Sequence, residues 1–178
     1  MSNTCRLLFA GFGGQGILFA GKFLAYKGLD EGKQVSWLPS YGPEMRGGTA
    51  NCSVIISDDP IGSPIISEPD ILVAMNLPSL DKYEGTVKKG GKIILDSSLI
   101  SRKVERDDVE VFYVPATELA NKNNTPKLAN MIIAGKLMKE CDVIAYDNMR
   151  EALGHVVSAR HQDMLEVNLG AIELGYNA

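Results

Sequence analysis

The 178-residue sequence lacks the features by which several large classes of protein are recognised. It has three scattered cysteines and no Cys-x-x-Cys pair, so it predicts neither a disulfide framework nor a cysteine-ligated zinc or iron–sulfur site. No apolar run is long enough to span a bilayer and no secretory signal pattern is present, so we expect a cytoplasmic protein with no membrane partner. The net charge of −4, without a cluster of lysine or arginine, argues against nucleic acid as a partner.

Side chains that carry out catalysis are also scarce. The two histidines, His155 and His161, lie late in the chain among predicted helices, where such residues are usually solvated. No nucleophile stands beside a suitable base in the sequence. We therefore assign no catalytic residue and no metal ligand to this chain.

Short apolar runs alternate with helical patterns along the whole sequence. Strands are predicted at residues 4–10, 34–38, 49–57, 70–75, 91–96 and 111–114, and helices at 15–29, 78–87, 125–140 and from 158 to near the end. This alternation predicts a single α/β domain over residues 1–178, Rossmann-like and doubly wound, with a mostly parallel sheet. The period of two in residues 49–57 predicts an antiparallel strand at the sheet edge, in a hairpin with Ile65 and Ile66.

A glycine-rich segment, Gly-Phe-Gly-Gly-Gln-Gly, lies between the first predicted strand and the first predicted helix. Its glycines could serve only to form a tight turn, or the exposed N–H groups of the helix start could bind an anion or a polar group of a partner. The amide of Gln15 would add a donor and an acceptor there. The candidate contact residues of this loop are Gly11, Gly13, Gly14, Gln15 and Gly16.

The same segment matches the dinucleotide motif Gly-x-Gly-x-x-Gly, but the acidic residue that such a site needs is missing. That residue stands at the end of the second strand, where it binds the ribose hydroxyl. Here the second strand runs into Pro39 and Ser40, and Asp30 and Glu31 precede it. We therefore do not expect NAD or NADP to bind.

A second unusual loop, Tyr-Gly-Pro-Glu-Met-Arg-Gly-Gly at residues 41–48, follows the second strand. Ligands of open α/β sheets bind outside the carboxyl ends of strands, so both loops are expected at the same edge. Arg46 could bind a carboxylate or phosphate, with Glu44 holding it in place, or both charges could be solvated on a plain connector. The candidate contact residues of this loop are Tyr41, Gly42, Glu44, Arg46, Gly47 and Gly48.

These two loops in this order, with residues 49–54, 70–76 and 129–131, resemble the gamma subunit or gamma domain of 2-oxoacid:ferredoxin oxidoreductases over nearly the whole chain. The loops and residues 76–80 are most similar to the 2-oxoglutarate branch, which adds Asn76 to the candidate contact residues. The pyruvate, branched-chain and indolepyruvate branches share both loops, so these substrates remain alternatives.

The resemblance implies a complex that decarboxylates a 2-oxoacid oxidatively and releases an acyl-CoA, here succinyl-CoA. It implies thiamine diphosphate, magnesium, iron–sulfur clusters and coenzyme A, bound through thiamine-binding alpha and beta subunits and a ferredoxin-like subunit, with external ferredoxin as acceptor. This sequence has neither the Gly-Asp-Gly and Asn-Asn pattern of a thiamine site nor a cysteine quartet. We therefore expect an accessory subunit, inactive alone, whose loops contact other subunits or coenzyme A. A stand-alone module that binds a nucleotide or acyl-CoA is the rival interpretation.

Overall fold

The computed structural model describes residues 3–40 and 49–178. In this part of the chain, six strands form one sheet in the order β2-β3-β1-β4-β5-β6. The strands are β1 (Thr4–Phe12), β2 (Gln34–Ser40), β3 (Thr49–Ser57), β4 (Ile71–Ala74), β5 (Lys92–Asp96) and β6 (Glu110–Val114). The helices are α1 (Ile17–Asp30), α2 (Leu77–Tyr83), α3 (Ala116–Lys122), α4 (Ala129–Glu140), α5 (Met149–Val156) and α6 (Asp163–Tyr176), with short 3-10 helices at Glu84–Thr86 and Ala159–His161.

The sheet confirms the predicted mostly parallel α/β architecture with an antiparallel pair at one edge. Strands β1, β4, β5 and β6 are parallel neighbours, whereas β3 runs antiparallel to both β1 and β2. Because β3 separates β1 from β2, those two strands run in the same direction. We call the edge at which β1, β2, β4, β5 and β6 end the carboxyl edge of the sheet.

The predicted partner of the edge hairpin is wrong. Strand β3 pairs with β2, and Ile65 and Ile66 lie outside any strand, with the Ile65 side chain 68% exposed. The backbone N–H of Ile65 donates to Ser63 Oγ at 3.2 Å. This N–H is therefore used within a local turn and is not available for pairing with a neighbouring strand. The alternation in β3 indicates that one face of the strand is less buried than the other. It does not indicate that the strand lies at the edge of the sheet.

Helices cover both faces of the sheet, which makes the domain doubly wound. In β1, Leu7 and Phe9 pack into the larger core under α1, α4, α5 and α6, while Leu8 faces the smaller core that includes Leu80 of α2. Each such buried side chain contributes about 1.5–3 kcal/mol of burial free energy. Among the described residues, no helix combines the length and the apolar character that crossing a bilayer requires.

Helices α4 and α6 pack with their backbones in direct contact. A Cβ atom on Gly135 would lie 2.0 Å from the carbonyl oxygen of Ile172, and one on Gly175 would lie 1.7 Å from that of Ile132. Any larger residue at either position would force the helices apart. This close packing fixes the side chains that α4 and α6 direct toward the start of α1.

A buried lysine joins α1 to the segment before α5. Lys27 is 1% exposed, and its Nζ lies 2.5 Å from Glu31 Oε1 and 3.0 Å from Asp147 Oδ1. Burial alone would lower the pKa of Lys27, but the hydrogen bonds and charges of the two carboxylates outweigh it and raise that pKa. The ion pairs therefore keep this buried ammonium charged.

Candidate functional site

The glycine-rich turn connects β1 to α1 at the carboxyl edge of the sheet. The left-handed backbone that favours glycine falls on Gly14, with φ 92°, and on Gly16, with φ 75°. Gly16 is the N-cap of α1, its carbonyl accepts from the Ala20 N–H at 3.0 Å, and no described side chain caps the helix start. The first N–H groups of α1 are thus available to an anion or another acceptor.

Gln15 holds this turn in place through both ends of its amide. Its Oε1 accepts from the backbone N–H of Phe12 at 2.7 Å, and its Nε2 donates to the carbonyl of Met75, beyond the end of β4, at 3.0 Å. Each end of the Gln15 amide thus makes one structural bond and keeps one further N–H or lone pair, so its contact role stays a prediction. A Cβ on Gly11 would lie 2.7 Å from Gln15 Oε1, so glycine there makes room for this amide.

Asn76 is a buried helix cap, 2% exposed, immediately before α2. Its Oδ1 accepts from the Ser79 N–H at 2.8 Å, which is the usual bond of an N-cap asparagine. Its Nδ2 has no partner among the described residues. The contact role predicted for Asn76 stays a prediction.

The second loop lies outside the described residues, and with it Tyr41, Gly42, Glu44, Arg46, Gly47 and Gly48. Both ends of this loop are described. Ser40 pairs with Asn51, and Thr49 pairs with Phe12. The described residues on either side of the loop, Ser40 and Thr49, therefore lie at the carboxyl edge of the sheet, and Thr49 pairs with the last residue of β1.

A cavity of about 540 Å³ opens beside the start of α1. Its wall is mostly apolar, with one lysine, one histidine, one serine and two asparagines. It is lined by Gly16, Phe19, Lys127, Leu128, Asn130, Val156, Val157, Ser158, His161, Met164 and Asn168. We call it the asparagine cavity. It joins α1, α4 and α6 at the point where the glycine-rich turn becomes a helix.

Its two asparagines are buried and incompletely bonded. Asn130 is 6% exposed and its Nδ2 donates to the Gly16 carbonyl at 3.1 Å, while Asn168 is 3% exposed and its Nδ2 donates to the Met164 carbonyl at 2.7 Å. The Oδ1 atoms of both have no hydrogen-bond partner among the described residues. An unpaired buried acceptor costs about 1–3 kcal/mol, and an N–H or O–H donor that reached either oxygen would recover that cost.

Sequence reasoning did not identify Asn130 and Asn168 as site residues. The available signal was an asparagine placed within the apolar face of each of two helices. Gly16 belongs to the same arrangement, because a Cβ there would lie 2.3 Å from Asn130 Nδ2. Glycine at this position therefore permits both the left-handed backbone and the approach of α4.

Asp30 and Glu31, the acidic residues that precede β2, make hydrogen bonds away from the glycine-rich turn. Asp30 Oδ1 lies 3.1 Å from His155 Nε2, and Glu31 Oε1 also accepts from the Ala145 N–H at 2.9 Å. Both lie at the far end of α1, at the edge of the sheet opposite the glycine-rich turn. Within residues 3–40 and 49–178, no cluster of three potential metal ligands occurs.

Protein relatives agree with this architecture. The chain is 40% identical over 171 residues to ketoisovalerate oxidoreductase subunit VorA of Methanothermobacter thermautotrophicus, which covers 96% of the chain but 35% of that relative. It therefore spans about a third of the length of this relative. It is 35% identical over 179 residues to 2-oxoglutarate synthase subunit KorC of Methanocaldococcus jannaschii, which covers 99% of the chain and 93% of the relative.

Solved structures with the same fold include the keto/oxoacid ferredoxin oxidoreductase gamma subunit of Geobacter sulfurreducens. It matches 98% of this chain and 95% of its own, with a TM-score of 0.85 and 28% identity. The 2-oxoglutarate:ferredoxin oxidoreductase of Magnetococcus marinus, solved with 2-oxoglutarate, coenzyme A and succinyl-CoA bound, matches 98% of this chain and 31% of its own, with a TM-score of 0.87. At 21% identity the latter shows the fold alone. A sequence model of the pyruvate ferredoxin/flavodoxin oxidoreductase family matches residues 6–178, and the chain belongs to this family.

Proposed function

We propose that this chain, as one domain over residues 1–178, is the gamma subunit of a cytoplasmic 2-oxoacid:ferredoxin oxidoreductase and is inactive alone. The complex would decarboxylate 2-oxoglutarate oxidatively, release succinyl-CoA and pass the electrons to external ferredoxin. Thiamine diphosphate, magnesium and the iron–sulfur clusters belong to the alpha, beta and ferredoxin-like subunits in this proposal. The asparagine cavity and the two glycine-rich loops are the part that this chain contributes.

The asparagine cavity is the observation that carries the proposal, because its chemistry suits coenzyme A. The pantetheine arm of coenzyme A is a slender chain with two amide N–H donors. The cavity has an apolar wall, and two of its lining residues are asparagines whose buried amide oxygens have no partner among the described residues. The phosphates of coenzyme A suit the uncapped start of α1 and the Lys127 ammonium at the cavity wall. The cavity thus offers a partner to each chemical part of this ligand.

Exposed apolar side chains at the carboxyl edge support contact with other subunits. Phe12, Leu77 and Leu99 are 41%, 39% and 49% exposed. Phe12 is the last residue of β1, and Leu77 and Leu99 come three residues after the ends of β4 and β5. A single exposed apolar side chain is ordinary, but a row of them along the edge that carries the ligand loops indicates a contact surface. We assign this row to the thiamine-binding subunits.

Branched-chain 2-oxoacids are the second candidate substrate. The observation in their favour is the 40% identity to a ketoisovalerate oxidoreductase subunit, compared with 35% identity to a 2-oxoglutarate synthase subunit. The 2-oxoglutarate relative covers nearly the whole length of both chains, whereas the ketoisovalerate relative is much longer. For this reason we place 2-oxoglutarate first.

The test is to purify the complex from its native host through a tag on this chain and to follow the reduction of ferredoxin. We expect co-purified thiamine-binding and cluster-binding subunits, and turnover that requires coenzyme A and is fastest with 2-oxoglutarate. Ketoisovalerate and pyruvate are the comparison substrates, and the isolated chain is the control. Turnover by the isolated chain, or purification of the chain without partners, would contradict the proposal.

A further inference from the structure

Two cysteines from distant parts of the sequence meet at the edge of the sheet opposite the asparagine cavity. Cys5 is the second residue of β1, and Cys141 directly follows α4. Their sulfur atoms are 3.6 Å apart, and the two residues are 6% and 4% exposed. The proposed function neither requires nor predicts this pair.

A surface cavity adjoins the cysteine pair. It has a volume of about 370 Å³, and both cysteines contribute to its wall. Three lysines, Lys88, Lys89 and Lys92, lie around the same cavity together with acidic residues. Space and charges of both signs are thus available for a small zwitterionic or anionic oxidant.

The surroundings make the two thiols unequal. The pKa of Cys141 is lowered, because the Cys5 thiol can donate to its thiolate and the backbone N–H groups of Val143 and Ile144 also favour that charge. The pKa of Cys5 is raised by the same bond and by burial. Only Cys141 has backbone N–H groups, those of Val143 and Ile144, that stabilise its thiolate, so we take Cys141 as the attacking thiolate and Cys5 as the thiol that reacts second.

We propose that Cys5 and Cys141 form a redox-active dithiol, which a small disulfide such as glutathione disulfide converts into an intramolecular disulfide. The Cys141 thiolate attacks one sulfur of glutathione disulfide, which breaks the S–S bond and releases one glutathione thiolate. Cys5 then loses its proton to solvent and attacks the Cys141 sulfur, which releases the second glutathione. The protein loses two electrons and two protons, and glutathione disulfide gains them. The protein sulfurs must approach each other by about 1.6 Å to reach bonding distance.

The reaction is tested on the folded full-length chain treated with glutathione disulfide and then alkylated without reduction. We expect the number of free thiols to fall from three to one, and peptide mapping to recover a cross-linked peptide that contains Cys5 and Cys141. Dithiothreitol should restore all three thiols. Cys52 provides the matched control, because it is buried, it lies apart from the pair, and burial raises its pKa to about 12.

The variants distinguish the order of the two steps. Cys52→Ala should form the cross-link at the wild-type rate, whereas Cys5→Ala should stop at a mixed disulfide of Cys141 with glutathione. Cys141→Ala should form no cross-link and should react more slowly than Cys5→Ala, since its remaining Cys5 thiol is buried and lacks the two backbone N–H groups that stabilise the Cys141 thiolate. If the folded wild-type chain gives no Cys5–Cys141 peptide, the proposal is wrong, and that result does not depend on how the variants fold.

Discussion

Replacing Asn168 with leucine should separate ligand binding from stability. In the wild-type chain the buried Oδ1 of Asn168 has no described partner, which costs about 1–3 kcal/mol, while its Nδ2 bond to the Met164 carbonyl contributes about 0.5–1.5 kcal/mol. Leucine has the same number of side-chain heavy atoms, in the same branched arrangement, and removes both effects. We therefore expect the isolated Asn168→Leu chain to be as stable as wild type or about 1 kcal/mol more stable, which is a rise in melting temperature of about 2–4 °C.

Coenzyme A should respond in the opposite direction. If the Asn168 oxygen accepts one N–H of the pantetheine arm, the variant loses about 1–1.5 kcal/mol, which weakens binding about tenfold. The measurements are urea unfolding of the isolated chain and the coenzyme A dependence of the reconstituted complex.

Asn177→Leu is the matched control for this substitution, since Asn177 is exposed just beyond the same helix and its side-chain amide, like that of Asn168, donates to the carbonyl four residues earlier, here that of Glu173. It should leave the coenzyme A dependence unchanged. A variant Asn168→Leu that loses more than about 2 kcal/mol of stability and binds coenzyme A normally would show that Asn168 is structural. The same result would remove the main support for the coenzyme A proposal.

Three further predictions concern the glycine-rich turn, the second loop and the buried lysine. Gly16→Ala should cost about 1–3 kcal/mol more in urea unfolding than Gly14→Ala, because both positions have positive φ but only Gly16 contacts Asn130; equal losses would refute the contact. Arg46→Ala should weaken assembly or raise the KM for coenzyme A while the isolated chain keeps its Tm, with partial rescue by Arg46→Lys; wild-type values in both assays would make Arg46 a solvated charge. Lys27→Met should cost about 1–2 kcal/mol of stability, because Glu31, which is only 18% exposed, loses its ammonium partner while the mostly exposed Asp147 is solvated. Since the folded-state pKa of Lys27 is raised, its contribution to stability is present below the ordinary value of 10.5 and is lost as the pH rises through the folded-state value. The stability difference between the wild type and Lys27→Met should therefore shrink on that side.

Much of the sheet could be predicted from the sequence because its central strands are buried on both faces. β4 and β5 are short apolar runs bounded by turns, and the structure places both between neighbours in the sheet. The pattern does not specify which strand lies beside which. The predicted hairpin partner of β3 was therefore wrong. β3 pairs with β2, the strand that precedes it, and the alternation of residues 49–57 contains no information about which strand is the partner.

Helix α3 was not predicted from the sequence because it buries very little apolar side-chain surface. Ala116 and Ala120 are its buried residues, so its apolar periodicity is too weak to stand out. The Thr125 N–H donates to the Ala120 carbonyl at 2.9 Å, and this bond closes the end of α3. The Thr-Pro pair interpreted as the start of a helix thus belongs to a turn, and α4 begins at Ala129.

The two asparagines of the cavity could not be recognised because the missing bond is a three-dimensional property. A sequence shows that a polar residue stands on an apolar helix face, but not whether its oxygen finds a donor after folding. Close packing of α4 on α6 brings Asn130 and Asn168 to one cavity, and it depends on Gly135 and Gly175, whose absent side chains carry no periodic signal.

The glycine-rich motif also needs a different interpretation once its contacts are known. From the sequence, a structural turn and a binding loop were alternatives. In the structure the Gln15 side chain links the turn to Met75, beyond the end of β4. The carbonyl of Gly16 accepts a hydrogen bond from Asn130 Nδ2, and both residues line the cavity. The bonds that hold the turn therefore also orient the Asn130 oxygen, so a substitution at Gly16 should disturb the helix start and the cavity together. This coupling explains why a loop without the acidic residue of a dinucleotide site still needs a glycine at this position.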